Sequence, residues 1–279
     1  ELLLLPMVAL RDFHALRRHD GHTFNVITDR HAVHVDDPVS KLATHITCDT
    51  GEFEHDPDWW FGHIYPLETE RGQDDTEDLF KPGIFRCTLQ SSTLITLRIA
   101  PDPVPSVLGE PFPEPRIPPH ATGAVRKLLL ASKDFLIHRK TPAGKVGTSV
   151  LAGFPWFADW GRDTFISLPG LLLETGRLVE AADVLTTFAT YVSQGMIPNK
   201  FDDYDNRPEY NTVDASLWFI HAAHEYAAKG GDKTVFESAL LPACRQILAG
   251  YRDGTRFQIK MDPGDALLSQ GDDTTQLTW

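Results

Sequence analysis

The stretch Thr93-Leu-Ile-Thr-Leu-Arg-Ile-Ala-Pro-Asp-Pro-Val-Pro105 divides the chain into two textures. Up to Ile99 it alternates, with Leu94, Thr96 and Arg98 against Ile95, Leu97 and Ile99, the period-2 signature of a strand with two different faces. Residues 101–119 then hold eight of the chain's twenty prolines. Proline withholds a backbone donor and fixes φ, so this stretch reads as an extended linker. Back toward Glu1, short apolar runs at 2–5, 32–35 and 84–89 are broken by turn residues. They predict an antiparallel β-sandwich over residues 1–100, with 2–5 as a buried strand.

Forward from His120 the apolar spacing changes to 3.6 residues. It predicts helices over 125–137, over 164–175 before Gly176, over 178–192 before Gly195, over 213–229 before Gly230, and over 234–251. Consecutive helices that stop at glycine and turn back make antiparallel hairpins. No repeat of fixed period runs through them, which disfavours an open array. The expected architecture is therefore a multidomain α and β protein. An N-terminal β-sandwich (1–100) is joined by a proline-rich linker (101–119) to an α/α solenoid or toroid (120–279).

With 279 residues, 42% apolar and 23% charged, the chain has the composition of an ordinary globular protein, and disordered, collagenous and membrane-spanning readings fail. The run at 2–5 is far below the roughly 20 residues a bilayer span requires, and without a basic region before it, it makes a poor signal peptide. A net charge of −13 repels phosphate backbones and anionic lipid, so neither nucleic acid nor a membrane surface is an expected partner. Cys48, Cys87 and Cys244 are odd in number and lack metal-ligand spacing; no disulfide framework or zinc site is supported, and a cytoplasmic location is expected. His221 and His224 stand at i and i+3 with Glu225 after the second, unlike a zincin helix, and no metal is expected. Neither a phosphate-binding glycine loop nor a Gly-x-Ser-x-Gly elbow occurs. Glu1 already lies in a strand-like run and Trp279 ends an apolar phrase, so a fragment of a longer protein is expected.

Two segments carry candidate chemistry. In Gly153-Phe-Pro-Trp-Phe-Ala-Asp-Trp-Gly-Arg-Asp-Thr164, Trp156 and Trp160 flank Arg162 and Asp163 at a helix start, where free N–H groups and the helix dipole favour an ionised carboxylate. Flat aromatics stack on sugar rings, while Asp and Arg take hydroxyl pairs, so this is the composition of a carbohydrate subsite. Asp163 as a plain helix cap and the tryptophans as core would fit the same residues. In the second segment, Gly195-Met-Ile-Pro-Asn199 through Tyr210-Asn-Thr-Val-Asp214, a long loop brings Asn199, Lys200, Tyr210, Asn211 and Asp214 to the next helix. Asp202, Asp203 and Asp205 read as a solvated loop tip, and Trp218 suits either core or cleft wall. If the inner helices run parallel, both segments share one end of the domain.

The phrases Phe154-Pro-Trp-Phe-Ala-Asp-Trp-Gly-Arg-Asp-Thr-Phe-Ile166, Gly195-Met-Ile-Pro-Asn199 and Tyr210-Asn-Thr-Val-Asp-Ala-Ser-Leu-Trp-Phe219 resemble, in this order, the amylo-α-1,6-glucosidase part of glycogen debranching enzymes. The opening Pro6-Met-Val-Ala-Leu-Arg-Asp-Phe-His14 is similar to the β-sandwich domain preceding it in bacterial members. The resemblance implies an (α/α)₆ toroid and hydrolysis of α-1,6-linked glucose at trimmed branch points of glycogen or limit dextrin, without a cofactor. It makes Trp160, Arg162 and Asp163 the floor of the glucose subsite, completed by Tyr210, Asn211 and Asp214. The inverting mechanism it implies needs a general acid and a general base. In the resembled family the final Thr-Trp pair is followed by an aspartate that is the preferred acid, and the base is a later glutamate, both beyond Trp279; Asp214 is the candidate acid within the chain. Arg162 is expected to hold Asp163 ionised, which suits hydroxyl binding. A glucoamylase- or trehalase-like toroid glycosidase, or a non-catalytic carbohydrate-binding or scaffold protein on the same fold, are the alternatives.

Overall fold

The computed structural model describes residues 1–12, 15–90, 92–101, 112–141, 144–153, 157–202, 207–273, 275 and 277–278. The chain divides into two compact units, Glu1–Ser106 and Val107–Trp279.

The first unit is built from antiparallel strands. β1 (Leu2–Leu4) is followed by β2 (Asn25–Asp29), β3 (Ala32–Asp36), β4 (Ala43–Cys48) and the long β5 (Glu52–Ile64). After the short helix α1 (Pro66–Glu70) come β6 (Thr76–Cys87) and β7 (Leu97–Pro101). They form a three-stranded sheet in the order β1-β6-β5 and a four-stranded sheet in the order β2-β3-β4-β7. Val33 and Val35 from β3, Ile46 and Cys48 from β4, and Phe80, Phe85 and Cys87 from β6 are buried in one cluster. Both sheets therefore bury a face against the same core, as period-2 alternation requires. Gly83 on β6 must be glycine, because a Cβ there would lie 2.2 Å from the Glu54 carbonyl on β5.

Two expectations for this unit are corrected. Of residues 2–5, Leu2–Leu4 form a strand, but not a buried one: Leu2 and Leu3 are 36% and 42% exposed, and Leu5 after it 37%. Among the described residues β1 is an edge strand paired with β6 alone, so its leucines have one sheet neighbour there. The alternating run at 93–99 contributes only Leu97–Pro101 as strand, and Ile99 is 65% exposed. β7 is likewise an edge among the described residues, paired with β4.

The second unit mixes helices with three small hairpins. α2 (Gly123–Ala131) passes through a 3₁₀ turn (Ser132–Phe135) into β8 (Leu136–Lys140), which pairs with β9 (Val146–Val150). The expected helix over 125–137 thus stops early. Phe135, Leu136 and Ile137 continue the apolar run, but pairing with a β-branched, alternating partner wins over helical continuation. α3 (Gly161–Leu168) runs on through a π turn (Pro169–Leu173), and α4 (Leu178–Ala189) follows. The pair β10 (Lys200–Phe201) and β11 (Pro208–Glu209) precedes α5 (Ala215–Ala228). A last helical stretch comprises α6 (Lys233–Val235), a π turn (Phe236–Leu240) and α7 (Leu241–Asp253). The hairpin of β12 (Lys260–Met261) and β13 (Leu268–Ser269) comes after it. Helices α3, α4, α5 and α7 meet in one core. Phe165 packs edge-on against Phe188 at 4.9 Å and against Phe219 at 5.3 Å, between ring centroids.

Candidate active site

The site is assembled from the start of α3 outward. Trp160 is the N-cap residue, in an extended conformation, and its own side chain makes no capping hydrogen bond, while the Arg162 amide donates to Oδ1 of Asn199 at 3.4 Å. The chain around Asn199 closes against this helix. Trp160 forms a β-bridge to Lys200, and the Gly161 amide donates to the Asn199 carbonyl at 2.5 Å. The fit depends on glycine: a Cβ at Gly161 would lie 2.4 Å from the Pro198 carbonyl. Asn199, 2% exposed, is itself held by its amide on the Glu209 carbonyl at 2.7 Å. Asp163 lies in the first turn of α3 and does not cap it, which removes the plain capping role open to it from sequence.

Arg162 is buried, and its guanidinium engages a residue remote in sequence. Nε and Nη2 both reach Oδ1 of Asp214, each at 2.8 Å. Asp214 is the N-cap residue of α5, so this pair brings the N-terminal ends of α3 and α5 together. Arg162 favours the ionised form of Asp163, but it is not the largest influence on that carboxyl. Burial pushes the Asp163 carboxyl above the usual carboxylate range, and the nearby Asp214 charge adds to that against the opposing pull of Arg162. Its Oδ2 is buried and has no hydrogen-bond partner, and the same holds for Oδ1 of Asn211. Buried acceptors left open in this way demand donors.

The remaining expected residues divide. Trp160 is half-buried and meets the exposed ring of Phe157 edge-on at 6.0 Å. Lys200 pairs with Glu209 across β10 and β11 at 3.3 Å. Tyr210 is committed elsewhere: its hydroxyl donates to the Tyr191 carbonyl at 2.7 Å, and the Arg256 guanidinium sits 4.3 Å from its ring centre. Burial raises the Tyr210 phenol. Trp156, Asp203 and Asp205 lie outside the described residues.

Sequence reasoning missed the scaffold beneath these groups. Asp159, fully buried just ahead of Trp160, takes both Nε and Nη2 of Arg139, whose guanidinium also stacks 4.1 Å over Phe201. Asp159 is inside the quoted motif, yet its partner on β8 is remote in sequence. Tyr251 on α7 donates to the Val213 carbonyl at 2.5 Å, and burial pushes its phenol up to about 12. The Val213 amide donates to the Leu277 carbonyl at 3.1 Å. Leu277, with Gln270, Asp272 and Thr275, lines an open pocket of about 350 Å³. Among the described residues no group of three or more His, Cys, Asp or Glu could hold a metal ion, and no helix is long and apolar enough to cross a membrane.

Comparison with known proteins adds three findings. Residues 130–279 match the family described as amylo-alpha-1,6-glucosidase. Residues 1–96 match the family described as glycogen debranching enzyme N terminal. The glycogen debranching enzyme of Saccharomyces cerevisiae is 45% identical over 110 residues, a match covering 37% of this chain and 7% of the length of that protein.

Proposed function

This chain belongs to the amylo-alpha-1,6-glucosidase family, and from that membership we propose that it is part of a glycoside hydrolase releasing α-1,6-linked glucose from trimmed branch points of glycogen-like α-glucans, with inversion. In this reading residues 120–279 are the first half of an (α/α)₆ toroid, behind a β-sandwich at 1–100 and a linker at 101–119. The partner is a branched α-glucan in the cytoplasm, and neither nucleic acid nor membrane is engaged.

The observation that carries the reading is the pair of buried oxygens without a partner, Asp163 Oδ2 and Asn211 Oδ1, on the two segments that the Arg162–Asp214 ion pair joins. Sugar hydroxyls are donors that would satisfy both oxygens, and the half-buried ring of Trp160 offers a face for a pyranose. Asn199 and Lys200 act by holding the start of α3 in register with the loop that carries Asn211. Tyr210, whose hydroxyl is already used, supports that loop from behind. Inversion needs one carboxylic acid and one carboxylate about 6.5–9.5 Å apart. Asp214 is engaged with a guanidinium, so proton donation by it would require breaking that pair. We therefore give Asp214 a binding role and assign the acid and base to carboxylates outside residues 1–279.

The test is glucose release by the full-length protein from a phosphorylase-trimmed limit dextrin, with a linear maltooligosaccharide as control. Release from the branched substrate alone is expected. Release from both would replace the reading with a glucoamylase-like one, and release from neither with a carbohydrate-binding or scaffold role.

A further inference from the structure

Cys48 closes β4 in the four-stranded sheet, and Cys87 closes β6 in the three-stranded sheet, 39 residues away. Their sulfurs meet in the shared core at 3.8 Å, and each residue is only 1% exposed. The backbone of Gly51 closes directly over the pair: a Cβ there would lie 2.8 Å from one sulfur and 2.9 Å from the other. Sulfur–sulfur contact between two sheets, roofed by a residue with no side chain, leaves nothing interposed. A disulfide needs a sulfur separation of about 2.0 Å, so the two sulfurs have about 2 Å further to close.

We propose that Cys48 and Cys87 form a redox-modification site, a latent disulfide joining the two sheets that is made by exchange with a small-molecule disulfide of the glutathione type. The thiolate of one cysteine attacks the small disulfide, breaking its S–S bond, forming a mixed disulfide and releasing one small thiolate. The second cysteine then displaces the other half and forms the Cys48–Cys87 bond. Two electrons pass from the protein thiols to the small disulfide, and the two protons they give up end on the two small thiols released. Access comes from the edge: Leu2 on the three-residue strand β1 pairs with Cys87, and fraying of so short an edge strand uncovers it. Burial raises the Cys87 thiol, so exchange proceeds through that opening and not in the closed core.

The experiment equilibrates the full chain in oxidised and reduced glutathione at sub-denaturing urea, quenches with acid, and counts thiols after complete unfolding. Non-reducing peptide mapping locates any link. The expected result is a fall from the three thiols of the sequence to one, that of Cys244. A peptide carrying the Cys48–Cys87 link should appear, lighter by two hydrogens than its reduced parts. The urea midpoint of the linked chain should rise and return on reduction, and Cys48→Ala should give no internal link. Three thiols remaining, glutathione adducts without an internal link, or a link through Cys244 would each overturn the proposal.

Discussion

The Arg162 guanidinium reaches one oxygen of Asp214 with both Nε and Nη2 at 2.8 Å, across 52 residues of sequence, and so ties the first turn of α3 to the residue that opens α5. Two helix N-termini carry like partial charges, and the Asp214 carboxylate between them offsets that repulsion while Arg162 balances the carboxylate. The pair thus holds the turn that carries Asp163 against the start of α5.

Arg162→Met leaves Asp214 without its partner. Removing half of a fully buried pair costs about 3–5 kcal/mol; with the Asp214 side chain 33% exposed, a loss of about 2–3 kcal/mol is expected from urea unfolding. The double variant Arg162→Met/Asp214→Leu should recover most of that stability, yet leave glucose release by the full-length protein abolished. A double variant no more stable than the weaker single one would show that the ion pair is not what sets the loss.

Asp163→Asn keeps the shape and removes the charge. Hydrogen bonds to a charged acceptor contribute about 1.5–3 kcal/mol, so kcat/KM on limit dextrin should fall by roughly 10- to 150-fold. The stability effect has the opposite sign. The folded pKa of Asp163 is raised, so the folded chain binds the extra proton, and the residue's contribution to stability falls as pH rises from the unfolded value, about 3.9, through the folded one. Asp163→Asn should remove that slope and be at least as stable as the parent at neutral pH, as read by melting temperature across a pH series. A variant that loses stability at neutral pH contradicts this.

Two glycines make a matched pair. Gly161→Ala places a methyl 2.4 Å from the Pro198 carbonyl, and backbone must move; a loss of about 1–3 kcal/mol is expected. Gly170→Ala, in the π turn after α3, meets nothing within 4 Å, and should be neutral or stabilising by up to about 1 kcal/mol. Thermal melts of the two variants side by side settle the order.

Asp159→Asn strips the counter-charge from a buried Arg139. The expected cost is about 3–5 kcal/mol, because both groups are out of solvent. Near-ultraviolet circular dichroism should report loosening around Trp160. A change under about 1 kcal/mol would mean that Arg139 finds another partner.

Periodicity made much of the secondary structure legible. The apolar spacing at 178–192 and 213–229 marks α4 and α5 to within a few residues, because a single helix face must meet the core. Strand β3 is equally plain from Ala32 onward. The β8–β9 hairpin was not, since Phe135-Leu-Ile137 satisfies a helix and a strand alike until the partner strand is known. The exposure of 2–5 is not legible in the sequence, because composition tells how apolar a strand is, not whether it sits at an edge.

For the site, the local phrase around Trp160, Arg162 and Asp163 and the loop leading to Asp214 could be picked out from residue types alone, since stacking faces and hydroxyl-binding groups are properties of side chains. Which of them pair could not. Adjacency in sequence suggested that Arg162 serves Asp163, but successive residues on a helix point about 100° apart, and the Arg162 side chain lies toward α5. The partners of Tyr210 and Asp159, the Tyr191 carbonyl and the Arg139 guanidinium, are likewise remote in sequence. Composition and spacing determined the two textures of the chain and the chemical character of its motifs. The ion-pair partners, the open oxygens of Asp163 and Asn211, and the meeting of Cys48 with Cys87 were decided only by tertiary packing, which joins positions that local spacing leaves unrelated.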